Sequence, residues 1–327
     1  MTLFIKNGNK LFYPSVLDGV KWTTERKGSP GVLNFTIYAD ETLIIDEGNT
    51  VGFEIDGYKV FYGLVFTKKR TKGNVIDVTA YDQLRYLKNK DTYTYENKTA
   101  SEVIKVAASN NNLNAGIIAD TEYVIPSRDE DNQTWLDIIY SALEITLDMK
   151  SKVYTLFDDY GKLTLTSMED MTIDLLICDQ SGENYDYTSS IDTNTYNKIK
   201  LIYDNETTKK REVFIAKDSS TINEWGVLQY HEAISADKKT DIEQIRAAAK
   251  VKASILLSLY NQKSKSLSFK NLFGDVRARA GARVWVNINL GDIVLDNYML
   301  INKAVHTFTN DIHTMDLELI GGGIYSI

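Results

Sequence analysis

Short apolar runs separated by tight-turn signals fill the first 89 residues of the chain. Asn7-Gly8 stands between two such runs and Asp56-Gly57 between two more, while Lys72-Gly73-Asn74 divides a further pair. Asn-Gly and Asp-Gly favour two-residue hairpin turns because both positions accept a positive φ angle. The pattern predicts several short strands, and residues 1–89 are expected to form a small antiparallel β-barrel or sandwich domain.

Helical periodicity replaces this pattern near residue 90. Thr99 and Glu102 have the spacing of a capping box, in which each side chain satisfies a free backbone amide of the first helical turn. A second helix is predicted from about Thr134 to Asp148, and Asp158–Gly161 is predicted to turn a hairpin after it. Residues 90–171 are therefore expected to form a compact α+β domain.

Strand patterns return from about residue 172. Tyr196–Tyr203 alternates between apolar and polar side chains, as a half-buried strand does. Thr240 and Glu243 have the spacing of another capping box, which opens the longest predicted helix, 240–261. Further strands are predicted at 266–270, 283–290, 298–309 and 313–320. Residues 172–327 are thus predicted to be a second β-domain that includes this helix, which makes the chain an α+β protein that is mainly β.

Two segments of similar length share one order of elements. Gly48–Tyr81 and Gly281–Ile320 both run strand, turn, long strand, turn, strand. An internal duplication would produce this similarity, and so would two unrelated β-meanders, because every meander has the same order.

Composition narrows the class of protein. The 327 residues are 43% apolar and 25% charged, which excludes a disordered chain. The net charge of −8 argues against a nucleic-acid binder. Tyr and Phe number 20 and 11 against 3 Pro, and aromatic residues favour strands. No apolar run approaches the roughly 20 residues that cross a bilayer, so neither a membrane span nor a signal peptide is predicted.

The residue types used in catalysis and metal binding are sparse. Cys178 follows an apolar run and is expected to be a buried, inert thiol. His306 and His313 lie on adjacent predicted strands and could meet across them, but two imidazoles are too few for a zinc site, and structural histidines are favoured. His231 is the third histidine of the chain. Asp129–Asp131 lacks the glycine and glutamate of a calcium loop and is interpreted as a solvated loop and helix cap. No catalytic, cofactor-binding or metal-binding residue is therefore assigned.

Three basic clusters lie at or beside predicted turns and strand starts: 68–72, 209–211 and 277–283. Like charges at such places usually keep an edge solvated and discourage wrong strand pairing. Docking of an acidic partner is the alternative interpretation. No phosphate-binding glycine motif is present, which argues against a nucleotide site.

A set of motifs in fixed order resembles a known family. The motifs are Val78–Leu87, Tyr93, Tyr95, Asn97–Ile104, Ile125-Pro126, Tyr196–Lys200 and, near the end of the chain, Val305, His306, Phe308, His313, Met315, Leu317 and Leu319. Together they look like the baseplate hub proteins of contractile phage tails, of the type found in PBSX-like defective prophages. The resemblance runs from about residue 48 to the end of the chain.

The resemblance implies a structural role. Hubs of this class form a homotrimer that joins the hexameric tail tube to the trimeric central spike. Each subunit carries two small antiparallel tube-like β-barrel domains, so three subunits present six, and residues 90–171 would be a domain inserted on the outside of the ring. The implied partners are further copies of the chain, the spike, the tube, other baseplate proteins and a tape-measure protein. The implied location is a phage or bacteriocin-like particle assembled in the bacterial cytoplasm.

Other functions stay open at this point. A cell-wall hydrolase acting at the spike tip would need converging carboxylates or an exposed Cys–His pair in a cleft. A carbohydrate-binding tail module would need an exposed aromatic patch. On the hub interpretation the chain is not an enzyme, and its excess of carboxylates would keep DNA moving through a lumen.

Overall fold

The computed structural model describes residues 1–17, 19–38, 44–71, 73–182, 184–192, 194–205, 208–234, 241–291, 294–309 and 312–321. Strands dominate and helices are few, so the prediction of a mainly β protein of the α+β class is confirmed. None of the helices in these ranges is both long and apolar enough to cross a membrane.

The chain begins with seven strands, which we call the first β-module: β1 (Thr2–Asn7), β2 (Lys10–Phe12), β3 (Val20–Glu25), β4 (Val32–Tyr38), β5 (Thr50–Ile55), β6 (Tyr58–Thr71) and β7 (Val75–Tyr81). The middle domain follows with a 3-10 helix (Gln83–Lys88), β8 (Lys90–Thr99), α1 (Ala100–Asn110), β9 (Ala115–Ile118), β10 (Val124–Thr134), α2 (Trp135–Lys150), β11 (Tyr154–Asp158) and β12 (Leu163–Ser167).

The second half contains the second β-module, interrupted by an insertion. The module consists of β13 (Thr172–Cys178), β14 (Asn184–Ser190), β18 (Ser264–Phe273), β19 (Arg283–Asn289), β20 (Val294–Thr309) and β21 (Ile312–Ile320). The second insertion lies between β14 and β18 and contains β15 (Lys198–Asn205), β16 (Lys210–Lys217), α3 (Ser219–Trp225), β17 (Gln229–Ala233) and α4 (Ile242–Tyr260). Its helix α4 packs on β15 and β16, which form a separate three-stranded sheet with β17.

The two β-modules have the same strand order. The first runs β1-β5-β6-β7-β4-β3 across its sheet, and the second runs β13-β19-β20-β21-β18-β14. Each module has six long strands, since the short β2 is left out. When these six are numbered along the chain, both modules have the order 1-4-5-6-3-2 across the sheet. All neighbours are antiparallel except β13 and β19, which are parallel. The echo in the sequence therefore extends to six strands on each side.

The central strand of each module is also irregular at the same place. Leu64 of β6 pairs with both β5 and β7, and the extra residue Phe66 forms a bulge two positions later. Leu300 of β20 pairs with both β19 and β21, and Asn302 is the extra residue two positions later. A bulge bends a strand and increases its twist. Each central strand thus bends where it passes from one neighbour to the next.

Strand β20 joins the modules into a single 13-stranded sheet. Its first half pairs with β19, whereas Lys303–Phe308 pairs with β21 on one side and with β3 of the first module on the other. Phe308 accordingly belongs to the core of the first module, and Met299 and Ile301 to the core of the second. The halves of the molecule therefore share backbone hydrogen bonds as well as side-chain contacts.

Local signals account for many of the elements. Asp56 and Gly57 both have positive φ in the turn between β5 and β6. The Thr99 and Glu102 side chains form the predicted reciprocal capping box at the start of α1, and Thr134 begins α2 in the same way with Asp137. Helix α4 begins at Ile242, with Asp241 at its N-cap, where the side chain makes no capping hydrogen bond. Thr240, the predicted cap, and Asn310-Asp311, the predicted final turn, lie outside the described residues.

Candidate functional site

The sheet presents one continuous polar surface across both modules, which we call the outer face. Along β3, β4, β7, β21 and the adjoining parts of β18 and β20, every second side chain is buried in a core, and those between them point to the other side. The strand register aligns these outward positions in rows. The members are Ser266, Ser268, Thr314, Asp316, Glu318, Lys303, Val305, Thr307, Lys21, Thr23, Glu25, Val32, Asn34, Thr36, Asp77, Thr79 and Tyr81.

Hydroxyl groups dominate the outer face. Seven of its 17 side chains are Ser or Thr, and four carboxylates stand against two lysines, so the surface is hydrated but only weakly negative. Lys303 and Glu25 form an ion pair at 2.7 Å, which lowers the pKa of the Glu25 carboxyl and raises that of the Lys303 ammonium. Thr36 donates a hydrogen bond to Asp77 at 2.9 Å. Such a surface offers many weak polar contacts and few strong ones.

Two buried carboxylates mark the junction between the modules and the middle domain. Asp82, directly after β7, accepts hydrogen bonds from the backbone amides of Gly31 (2.7 Å) and Leu84 (3.0 Å). Asp158, at the end of β11, accepts from Gly161 (2.7 Å) and from the Gln83 side chain (2.7 Å). Burial raises the pKa of Asp82 well above its usual range, and the Asp158 carboxyl raises it further. Burial also raises the pKa of Asp158, to about 6.

Arg279 lies beside this pair and is largely buried, with its Nε shielded from solvent. Its Nη2 donates to the backbone carbonyl of Asp158 at 3.0 Å, and its guanidinium stacks 4.1 Å from the ring centroid of Phe157. Burial lowers the pKa of the guanidinium, while the carboxylates of Asp158 and Asp82 oppose that shift. Its Nε has no hydrogen-bond partner within the described ranges. Arg279 is thus a buried cation whose charge depends on two buried acids.

The predicted meeting of His306 and His313 is observed. His306 Nδ1 lies 2.9 Å from His313 Nε2, and His306 Nε2 lies 3.0 Å from the Ala278 carbonyl oxygen. The ring of His306 also stacks on Trp22 of the first module at 4.9 Å. Burial lowers the pKa of His306 to about 3, with a contribution from His313. The pair is therefore a neutral hydrogen-bonded bridge at the place where β20 passes from one core to the other.

Within the described ranges, no three or more His, Cys, Asp or Glu side chains are grouped so that they could hold a metal ion. Cys178 differs from the expectation, because Ile177 takes the buried position of β13 and Cys178 is partly exposed. Its thiol lies 3.4 Å from the Ser181 hydroxyl, which lowers the thiol pKa.

The interpretation of Asp129–Asp131 as a solvated loop is wrong. These residues lie in strand β10, paired with β8, and Glu130 is buried, with its carboxylate 2.9 Å from Arg128 Nε. Pairing with a strand thirty residues earlier overrides the local polar composition, which is more typical of a loop. The helix-capping role belongs instead to Thr134.

The basic clusters take different roles. Lys68 pairs with Asp46 at 2.7 Å and Arg211 with Asp204 at 2.7 Å, both at the exposed surface. Arg277 pairs with Asp275 at 2.6 Å. Arg279 differs from the other three cations because its Nε is buried, so the interpretation of the cluster 277–283 as a solvated turn fails at that residue. The available signal was its setting between Ala278, Ala280 and Ala282, whose small apolar side chains are all buried.

Comparison with known proteins agrees with this architecture. Residues 20–320 match the family model described as YQBQ-like. The phage-like element PBSX protein XkdQ of Bacillus subtilis (strain 168) is 31% identical over 315 residues, which cover 93% of this chain and 92% of the relative. Relatedness at this level over nearly the whole length extends the similarity to the N-terminal region, where the sequence motifs were less clear.

Solved structures show the same fold at low sequence identity. The 43 kDa tail protein of prophage MuSo2 from Shewanella oneidensis has a TM-score of 0.68 at 12% identity, with 98% of each chain covered. The E. coli protein c3393, a type VI secretion component with structural similarity to the T4 tail proteins gp27 and gp5, has a TM-score of 0.59 at 9% identity, with 100% of this chain and 79% of that chain covered. The resemblance to phage tail baseplate proteins is confirmed, and the chain belongs to the YQBQ-like family.

Proposed function

We propose that this protein is the baseplate hub of a contractile tail, in which three copies form a ring between the tail tube and the central spike. The observation that carries the proposal is the shared strand order of the two β-modules, including a central strand that bends at the same place in both. A chain with two like modules is the simplest way for a three-fold assembly to offer six similar surfaces.

The symmetry argument is geometrical. Rings with closed rotational symmetry repeat each interface around the axis, so a six-fold tube and a three-fold spike cannot meet through identical subunit contacts. Three copies of this chain contain six β-modules of one topology. Such a ring contacts the tube with all six modules and the spike with three equivalent sets of residues. The first strand of each module differs in direction, because β1 is antiparallel to β5 whereas β13 is parallel to β19. Alternate modules around the ring therefore have different sheet edges.

The outer face is the surface we assign to the passage through the ring. It crosses both modules without interruption, and its hydroxyl groups keep it hydrated. Its weak excess of carboxylates disfavours adsorption of a polyanion that must move past it. The partners of the hub are then the tube, the spike, other baseplate proteins and a tape-measure protein. Assembly takes place in the cytoplasm of the bacterial host.

The role is structural and not enzymatic. The buried acids Asp82 and Asp158 are held by backbone amides and lie beside the side chain of Arg279 instead of in an open cleft. His306 is likewise fully buried, with its ring stacked on Trp22 and hydrogen-bonded to His313. A zymogram on peptidoglycan is therefore expected to show no lysis, and clearing by the purified chain would favour the hydrolase alternative.

Assembly can be tested directly. We expect the chain, mixed with the tube and spike proteins of its own tail, to give a complex with three hub copies of 37.0 kDa each by native mass spectrometry. Class averages from electron microscopy should show a three-fold ring with six densities of similar size. A two-fold complex, or no complex with either partner, contradicts the proposal.

The position of the outer face has its own test. A cysteine introduced as Thr307→Cys should react with a small maleimide in the assembled ring, but poorly with a polymer-linked one that cannot enter the passage. Lys105→Cys, on the exposed side of α1 in the middle domain, is the control and should react with both. Equal reaction of Thr307→Cys with both reagents would place the outer face elsewhere.

A further inference from the structure

A small cleft opens at the edge of the outer face, beside the 3-10 helix that follows β7. Thr23, Val32 and Tyr81 lie side by side across β3, β4 and β7 and form its floor. Arg85 and Lys88 of the 3-10 helix form one wall, and Glu25, Ser29 and Pro30 complete the lining. The cavity volume is about 230 Å³.

The guanidinium of Arg85 is held in place by an aromatic cluster. It lies 5.4 Å from the ring centroid of Phe66, a distance at which a cation is attracted to the face of the ring. Phe66 in turn packs against Tyr81 at 5.3 Å and Tyr86 at 5.9 Å. Phe66 is the bulged residue of β6. The bend of this central strand therefore determines where the Phe66 ring lies, and the ring in turn orients Arg85.

The cleft has an excess of hydrogen-bond donors and positive charge. Its single carboxylate, Glu25, is engaged by Lys303 at 2.7 Å and by the nearby Ser29 hydroxyl. Lys88 adds to the lowering of the Glu25 pKa but forms no ion pair with it. In the part of the chain that the structure describes, no acceptor binds the side chains of Arg85, Thr23 or Tyr81. The guanidinium of Arg85, the ammonium of Lys88 and the hydroxyls of Thr23 and Tyr81 therefore line a cavity whose one carboxylate is already paired with Lys303.

We propose that this cleft binds a carboxylate side chain, Asp or Glu, from a segment of a partner protein. The planar guanidinium of Arg85 matches a carboxylate with two parallel hydrogen bonds. Lys88 supplies a second positive charge, and Val32 and Pro30 provide an apolar wall for the methylene groups of the side chain. The proposal does not depend on the trimeric hub, because every residue it uses lies in one chain.

Size and surroundings favour a protein side chain over a nucleotide or a nucleic acid. Pockets that enclose drug-sized ligands usually measure about 300–1,000 Å³, so the cleft is small for a nucleotide. The ring of Phe66 already contacts Arg85 and Tyr86, so a base would have to displace them to stack there. The carboxylates of the outer face and the net charge of −8 oppose a long polyanion but tolerate one carboxylate.

The test is an NMR titration of the isotope-labelled full chain. The probes are a capped Ser-Glu-Gly-Glu-Ser peptide, its Gln-for-Glu counterpart, inorganic phosphate and a short single-stranded oligodeoxynucleotide. We expect the Glu peptide to shift the amide signals of Tyr81, Arg85 and Lys88 in a saturable way, and the Gln peptide to have no such effect. Arg85→Gln and Lys88→Gln should each weaken binding of the Glu peptide roughly tenfold, as the loss of one charge-assisted contact implies.

Lys105→Gln is the matched control, because it removes the same charge from the exposed surface of α1. Lys88 is exposed, so Lys88→Gln keeps the test valid even if Arg85→Gln disturbs the aromatic cluster. Equal shifts with the Gln peptide, or equal weakening by Lys105→Gln, would overturn the proposal. Displacement of the Glu peptide by lower concentrations of phosphate or oligonucleotide would assign the cleft to phosphate instead.

Discussion

Replacing Arg279 by methionine should expose how strongly the three-way junction depends on one buried cation. The substitution keeps an unbranched side chain of similar length against Phe157 but removes the positive charge near Asp82 and Asp158. The two carboxyls would then be buried without a compensating cation. Arg279 at present lowers the pKa of both acids, so its loss must raise both pKa values further.

The expected loss of stability follows from the burial of these charges and from the shifted pKa values. Removing one partner of a buried charge cluster typically destabilises a protein by about 3–5 kcal/mol. An acid whose folded-state pKa is raised lowers stability as the pH rises through that value, and one pKa unit corresponds to about 1.36 kcal/mol. Asp158 has a pKa of about 6 in the native protein. Each unit by which the substitution raises that pKa should make the loss of stability about 1.4 kcal/mol larger at pH 8 than at pH 5.

Urea unfolding followed by tryptophan fluorescence at pH 5 and pH 8 measures this effect. Arg277→Met is the control: Arg277 is about half exposed and pairs with Asp275 at the surface, so its loss should stay below about 1 kcal/mol. Combining Arg279→Met with Asp82→Asn and Asp158→Asn removes the three charges together and should recover much of the stability. A loss under about 1 kcal/mol at pH 8, a loss independent of pH, or a triple variant no more stable than the single one would refute the reasoning.

Three further predictions concern the shared strand and its histidines. His306 has a folded-state pKa of about 3 against 6.5 unfolded, so it makes the native protein lose stability as the pH falls from 6.5 toward 3. His306→Gln should therefore flatten this part of the stability–pH curve in urea unfolding, and an unchanged slope would contradict the assignment. Gly274→Ala places a methyl group against the His313 ring and should lower the unfolding free energy by about 1–3 kcal/mol, whereas Ser266→Ala on the outer face should change it by less than about 0.5 kcal/mol in the same assay. Thr307→Pro removes a backbone donor from β20, and hydrogen exchange should then speed up in both β3 and β21, while a change confined to one neighbour would argue against a shared ladder.

Features governed by near neighbours in the chain could be predicted from the sequence. The Asp56-Gly57 hairpin and the Thr99 capping box each depend on residues within four positions of one another, and both occur in the structure. The mainly β class followed from the same short-range patterns. The prediction of a loop at Asp129–Asp131 failed because the conformation of β10 is set by its pairing with β8 and not by its own polar sequence.

The candidate site was less predictable because it depends on long-range pairing. His306 and His313 could be placed within reach of each other, since one turn separates their strands. The outer face could not be predicted, because it depends on the pairing of β20 with β3, and these two strands come from opposite ends of the chain. Asp82, Asp158 and Arg279 come from three parts of the sequence, and no spacing rule connects them. The alanines around Arg279 were the only local sign that this cation is buried.

Strand β20 also has a mechanical consequence. Two halves joined by a linker pivot about it, and their relative motion is the normal expectation. Here the same strand is hydrogen-bonded into both halves, so a push on one half reaches the other through a row of backbone bonds loaded side by side. In a particle whose tail contracts, a protein built in this way would transmit the force to its neighbours without bending between its two halves.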